Sequence, residues 1–532
     1  EPFPGPKWVV RRHPFAVRLA PRSRARPADR TSEYGVGDEV AEKRAMSSDS
    51  DEAPKAHMSW PRFAARAWHL LKYIVKYFLL PFFVGFGIDF QLSIVMYDCL
   101  DWLACVRLGS KVPQAGLGEP ALVHREELPL STDGRWIVNQ LGTHVRFRCI
   151  NWNSGDFEAA AVGGMHAMPV SHIVANISAM NFNCVRLPYF PEANPWLQGR
   201  REPNMLHTVV EGLTAARLMV VLSSQWRNLQ VHDALRDGAD FSEQAWLHSL
   251  QDMAARYASN PYVVGHDLLG GGPAHGFARL RDLRLAVSGG LTENDTASVA
   301  AAAAIRGARA ISEKDRHALL IFDGLDFDAD SSGSRMSDEA VVAVPPHMLT
   351  DLLGRVVYEA HDFSWLHGEF FWAWLMHWFC IGQVLVVAFE LKRRRGGWKV
   401  RLHRFQRDLQ RPRRMSFYIA ILSLWAFSVW LSSYRRYEKN VSERWGFLVE
   451  DDIVPVWLGE FGISPITYAD VLRGDFGKWA WWRQVTRYIR ERELDYGYWA
   501  LNGDRFGMQE DFGIFFHNYT RLRHPWLVAS LP

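Results

Sequence analysis

The sequence predicts a (β/α)8 barrel that is interrupted by a two-helix transmembrane hairpin and preceded by a disordered tail and an N-terminal membrane helix. Three observations carry this expectation. From about residue 132 onward, eight short β-branched or aromatic runs alternate with amphipathic stretches. The starts of successive runs are separated by at least about thirty residues, the length of a helical crossover between parallel strands. The sixth crossover is about a hundred residues long, and its excess holds two apolar segments.

Taken in order, residues 1–66 are rich in Pro, Arg, Ser and Asp without periodicity, which predicts a disordered tail. Residues 73–97 are long enough to cross about 30 Å of hydrocarbon, although Lys76 and Asp89 each weaken the reading by at least ~2.5 kcal/mol if held mid-span. The eight runs follow at 145–152, 184–190, 218–225, 263–269, 318–325, 355–363, 454–462 and 495–503. Helical patterns between them include 170–180, 244–258, 297–311 and 479–492. An open doubly wound sheet is the competing architecture. No G-x-G-x-x-G follows the first strand and no G-x-x-x-x-G-K-[ST] occurs, so a closed barrel over 130–365 and 445–532 is the better reading.

The long crossover, 370–434, carries apolar segments at 370–391 and 415–434 with tryptophans suited to membrane interfaces. Net charge is only +3, but placement is informative. Residues 11–30 hold seven arginines against one acid, and residues 392–414 hold eleven Lys/Arg against Asp408 alone. Each basic run adjoins an apolar segment, which favours a membrane-lipid partner over a nucleic acid. Placing both runs in the cytoplasm obeys the positive-inside rule and puts the barrel on the extracellular or lumenal side. Four N-x-[ST] sequons, at Asn176, Asn294, Asn440 and Asn518, fall on that side.

Five scattered cysteines show no metal-ligand spacing and no disulfide framework. Free thiols are expected, with Cys99 and Cys105 as the alternative pair. No motif calls for a cofactor or a metal.

In such a barrel the working residues sit at the C-terminal strand ends. Those ends here are Asn151 and Trp152, Arg186, Gln225, the glycines 270–272, Asp323, His361 with Asp362, Glu460, and Trp499. A tryptophan platform, an arginine, a histidine and a carboxylate on one rim suit a polysaccharide or oligosaccharide. Each residue alone is as readily a packing or salt-bridge residue; their convergence raises the functional reading. A phosphate cradle at Gly270–Gly272 is disfavoured, because no Lys/Ser/Thr follows and Pro273 lacks an N–H. No G-x-S-x-G supports an esterase.

The runs I-N-W (150–152), N-F-N-C-V-R-L-P-Y (181–189), Y-E-A-H-D-F (358–363), P-V-W-L-G-E-F-G (455–462) and Y-W-A-L-N-G (498–503) resemble, in order, motifs of glycoside hydrolase family 5, the cellulase family. The resemblance implies retaining hydrolysis of β-linked glucans or related glycosides by two carboxylates about 5 Å apart. It makes Glu460 the nucleophile and Arg186 the arginine whose charge-assisted contact holds it as a carboxylate. It makes His361 a cleft histidine, and Asn151, Trp152, Gln225 and Trp499 substrate-binding residues.

Three positions depart from the family pattern. Gly270-Gly271 stands where the family has Asn-Glu, so the acid/base is absent at Gly271. Gln225 replaces a histidine, and Phe363 replaces the tyrosine that contacts the nucleophile. A general acid contributes roughly 10² to 10⁴ in rate, so weak or absent hydrolysis is expected, with a carbohydrate-binding pseudoenzyme as the alternative. His275, Asp267 and Glu359 are the available surrogate acids.

Overall fold

The computed structural model describes residues 122–153, 162–165, 167–189, 205–224, 243–268, 296–325, 349, 351–393, 396–464, 477–505 and 508–532. The basic tail at 1–66, the apolar stretch at 73–97, Cys99, Cys105, Gln225, the glycines 270–272 and His275 lie outside them.

Eight parallel strands close into a barrel: β1 (Arg148–Asn151), β2 (Cys184–Tyr189), β3 (Met219–Ser224), β4 (Val263–Asp267), β5 (Leu319–Leu325), β6 (Val356–Asp362), β7 (Val456–Phe461) and β8 (Asp495–Tyr498). Each strand pairs with the next, and β8 returns to β1. Every strand falls inside the run expected for it. Helices α1 (Val170–Ala179), α2 (Met205–Ala215), α3 (Glu243–Tyr257) and α4 (Thr296–Lys314) follow the first four strands.

Strand alternation sorts the side chains into two layers. Ile150, Val185, Val220, Leu320, Tyr358 and Leu458 face outward and pack with Ile173, Leu213, Leu250 and Ile311 of the helices. Cys149, Val221, Ile321, Val357 and Trp457 face inward and join Leu130, Ile137 and Phe147 in a second buried cluster. Ile137 belongs to an antiparallel hairpin, Ser131–Asp133 with Trp136–Val138, that precedes β1. The apolar floor leaves polar inward residues for the upper part of the strands.

One expectation is corrected in the floor. Cys149 and Cys184 lie opposite each other in the β1–β2 register, with Cα atoms 4.2 Å apart, and form a disulfide. The two are 35 residues apart in sequence, and only the parallel pairing of their strands brings them together. No local cysteine spacing reveals such a pair. Cys380 is a buried free thiol.

The long crossover is helical. α5 (Gly368–Arg393), α6 (Trp398–Leu409), α7 (Pro412–Leu431) and α8 (Tyr434–Val441) lie between β6 and β7, and α9 (Lys478–Arg492) links β7 to β8. At 1.5 Å per residue, α5 and α7 are about 39 and 30 Å long, and both are apolar enough to cross a membrane. They touch, with the Cys380 thiol 3.5 Å from the Ile421 carbonyl. Only 6% of the apolar stretch of α7 is buried, unlike a core helix of a globular domain.

The root of this hairpin is tied to β6 by a buried polar cluster. Asp362 Oδ1 accepts from the Trp481 indole N–H at 3.0 Å and lies 2.6 Å from His367 Nε2, while Oδ2 accepts from the Tyr437 hydroxyl at 2.5 Å. His367 Nδ1 lies 3.4 Å from Glu369, which also accepts from the Asn440 amide. Burial alone would disfavour the His367 imidazolium. The contacts with Asp362 and Glu369 outweigh it and raise the pKa to about 9. Asp362, expected at the cleft rim beside His361, therefore serves the opposite face of β6. Alternation allows only one of two successive strand residues to point inward.

Candidate active site

The inward polar residues converge on Arg186, which is 2% exposed at the middle of β2. Its Nε and Nη2 donate to Asp267 Oδ2 on β4 at 3.0 and 2.6 Å. Nη2 also lies 3.1 Å from Glu359 Oε1 on β6. Nη1 donates to Asn151 Oδ1 at 3.2 Å and forms an ion pair with Glu460 on β7. Ser223 on β3 donates to Asp267 Oδ2 at 2.7 Å. The Trp457 ring lies 6.0 Å from the guanidinium carbon, within cation–π range. One cation is thus shared among three buried carboxyl groups.

Such a cluster cannot hold all three as anions. Glu359 is fully buried, and burial pushes its pKa well above the usual carboxylate range. Arg186 opposes that shift, while Asp267 and Glu460 reinforce it. Glu359 is therefore the member of the cluster whose surroundings most favour the neutral form. It fits only because β7 carries glycine beside it: a Cβ at Gly459 would collide with the Glu359 carboxyl.

His361 stands above Glu359 on the same face of β6. Its Nε2 is 2.8 Å from Glu359 Oε1 and its Nδ1 is 3.9 Å from Glu460 Oε2. A register shift between Ala360 and His361 sets His361 directly opposite Glu460. Asn151 donates to the carbonyls of Gly459 and Tyr498 at 2.8 and 3.2 Å while accepting from Arg186. It is 2% exposed, so it locks Arg186 and the β7–β8 backbone rather than offering a free amide to a sugar.

The structure brings Arg186, Glu460, His361 and Asn151 together and corrects the position of Trp152. That indole is fully buried among helix-facing residues, and its N–H donates to the Gly163 carbonyl at 2.8 Å. Asn151 points inward, so the next residue points out. Trp499 is half-buried immediately after β8, preceding a cis peptide bond to Ala500. Phe363 is buried and stacks on Trp365 with ring centroids 4.4 Å apart; Phe512 meets both rings edge-on. Trp365 and Phe512 had no sequence signal beyond being aromatic. Asp267 and Glu359, read as mid-strand surrogates, sit under the cluster as partners of Arg186. Ser223 was legible only once its alignment with Asp267 in the β3–β4 register was known. Gln225 and Gly271 lie outside the described residues, as does the side chain of Asp323. Among the described residues no group of three or more His, Cys, Asp and Glu is arranged to hold a metal.

A closed parallel barrel with arginine-held carboxyl groups and a histidine on its inner face has the build of a (β/α)8-barrel glycosidase. The chain belongs to the cellulase family, glycosyl hydrolase family 5, whose family model matches residues 139–505. Among curated relatives, a glycosyl hydrolase 5 family protein of Chamaecyparis obtusa is 23% identical over 456 residues, covering 76% of this chain and 65% of that protein. The chain thus spans just under two thirds of the length of that relative. An endoglucanase of Paenibacillus polymyxa is 22% identical over 400 residues, covering 71% of this chain and 82% of its own. Among solved structures, the catalytic domain of the major endoglucanase of Xanthomonas campestris pv. campestris is 18% identical, with 76% of this chain and 99% of that chain covered at a TM-score of 0.47. An endocellulase of Pyrococcus horikoshii, solved in complex with cellotetraose, is 16% identical, with 77% of this chain and all of that chain covered at the same TM-score.

Proposed function

We propose that this chain is a membrane-anchored family 5 barrel that binds β-linked glucan and keeps its nucleophile, Glu460, but has lost the general acid at Gly271. The observation that carries this reading is the Arg186–Glu460 ion pair beside His361, set against a fourth strand that runs into Gly270-Gly271. A glycoside with a poor leaving group needs a proton in the transition state, and glycine has none to give. Burial favours the protonated form of Glu359. It lies fully buried beneath His361, bonded to Arg186, which suits it to keeping the cluster's charge low rather than to reaching a glycosidic oxygen. Hydrolysis of ordinary glucan is therefore weak or absent, while substrates with activated leaving groups still react at Glu460.

The membrane anchoring is supported by α5 and α7, whose outer surfaces are apolar, and by the basic segment between them. Both ends of the hairpin return to the barrel, so the barrel belongs on one side, extracellular or lumenal, and the basic segment on the other. The Cys149–Cys184 disulfide fits an oxidising compartment for the barrel.

The test is pre-steady-state kinetics with a dinitrophenyl β-cellobioside, paired with calorimetric titration of cello-oligosaccharide. A burst of dinitrophenolate that disappears in Glu460→Gln supports the reading. Oligosaccharide binding with no burst favours a pure binding protein, the second reading suggested by the missing acid. Neither binding nor a burst refutes both.

A further inference from the structure

We propose that α6 is a membrane-surface helix that docks on anionic phospholipid headgroups and holds the cytoplasmic end of the hairpin against the bilayer. The inference rests on the reading of α5 and α7 as spanning helices and adds a lipid specificity that the spans themselves do not have.

The twelve residues of α6 are two-faced. Trp398, Leu402, Phe405 and Leu409 recur at helical spacing and form one narrow apolar stripe. His403, Arg404 and Arg407 fall on the opposite side, around the exposed Val400, and Lys399 lies on the flank between the two faces. None of the helix is buried: Trp398 is 67% exposed and Leu402 is 38% exposed, and Phe405 has an edge contact with Tyr418 of α7 at 6.0 Å. Trp398 and Leu402, exposed at the start of the stripe, lack a reason to face water; at the edge of a bilayer they have one.

The ends of α6 fix it across the hairpin. Arg401 donates to the carbonyls of Gly396 and Lys392 at 2.6 and 3.4 Å, joining the start of α6 to the end of α5. Asp408, the one acid of this segment, is paired with Arg414 at 2.6 Å and Arg411 at 3.7 Å at the start of α7. The segment's single negative charge is thereby neutralised internally, and the exposed basic residues Lys399, Arg404, Arg407 and Arg413 present positive charge outward. Phe405 joins the apolar stripe to Tyr418 of α7, and the charges beside it complement an anionic headgroup layer. Each basic residue near such a surface strengthens adsorption about five-fold.

The experiment uses the full chain reconstituted in vesicles of phosphatidylcholine alone or phosphatidylcholine mixed with phosphatidylserine. Resistance to carbonate extraction reports insertion of α5 and α7. Limited chymotryptic cleavage after Trp398 and Phe405 reports whether the apolar stripe is covered. The expected result is insertion in both vesicles, with cleavage at least about tenfold slower when phosphatidylserine is present. That protection should be lost in high salt and in a Lys399→Gln/Arg404→Gln/Arg407→Gln variant, which keeps both cleavage sites. Equal cleavage in the two vesicles with insertion intact overturns the headgroup proposal and leaves the spans standing. Carbonate-extractable protein overturns both.

Discussion

Replacing Arg186 with methionine tests the electrostatic account of the barrel most sharply. The substitution removes donors to Asp267, Asn151 and Glu460 and the contact with Glu359, all within a buried cluster. With the neutral form of Glu359 favoured, one positive charge offsets one of the two remaining negative charges; without it, the buried cluster sheds charge by taking up a proton. Keeping an ordinary carboxyl protonated at pH 7 costs about 4 kcal/mol, in line with the 3–5 kcal/mol seen when one partner of a buried pair is removed. That cost falls by about 1.4 kcal/mol for each pH unit of acidification until the ordinary carboxylate range is reached. Denaturant unfolding of the detergent-solubilised chain, followed by near-ultraviolet circular dichroism between pH 5 and 7, measures both quantities. The companion variant Glu359→Gln keeps shape and charge state and should change stability by less than about 1 kcal/mol at pH 7. An Arg186→Met deficit below about 1 kcal/mol, or one that does not shrink with acid, refutes the shared-cation description. So does a Glu359→Gln variant as damaged as Arg186→Met.

Three further outcomes follow from the same geometry. His367 has a folded-state pKa raised to about 9, so its contribution is complete below the unfolded value near 6.5 and is lost as pH rises through about 9; it amounts to on the order of 3 kcal/mol, and His367→Gln should flatten the stability profile between pH 7 and 10. Gly459→Ala drives a methyl into the Glu359 carboxyl and should cost about 1–3 kcal/mol by denaturant unfolding, with Glu359→Ala in the same chain restoring part of it. Removing the Cys149–Cys184 bond by double substitution with alanine opens a loop of 35 residues and should cost about 3–4 kcal/mol, which comparison of the two melts under non-reducing conditions checks.

The barrel was legible because its strands are local events. Each inner strand is a short run of β-branched or aromatic residues, and Val220, Val221 and Leu222 carry that signal without help from the rest of the chain. The helical hairpin was legible for a similar reason, since its apolar lengths need no partner to be recognised. What stayed hidden depends on which residues of different strands meet. Cys149 and Cys184 pair through the β1–β2 register, and Arg186 gathers Asp267, Glu359 and Glu460 from three strands. Strand alternation could have separated Asn151 from Trp152 and His361 from Asp362, because successive residues of a regular strand point to opposite faces. Alternation takes Trp152 and Asp362 off the cleft face; the contacts of Asp362 with His367, Tyr437 and Trp481 become visible only in the fold.

The proposed loss of the general acid, with the nucleophile retained, is tested most directly by intact-protein mass spectrometry after exposure to dinitrophenyl β-cellobioside. A chain that can form but only slowly resolve a glycosyl-enzyme should accumulate a single cellobiosyl adduct, mapped to the peptide carrying Glu460 and absent in Glu460→Gln. The same chain should leave cellotetraose essentially uncut. Rapid turnover of cellotetraose without an adduct would contradict the account, because it requires a working proton donor where this sequence has glycine.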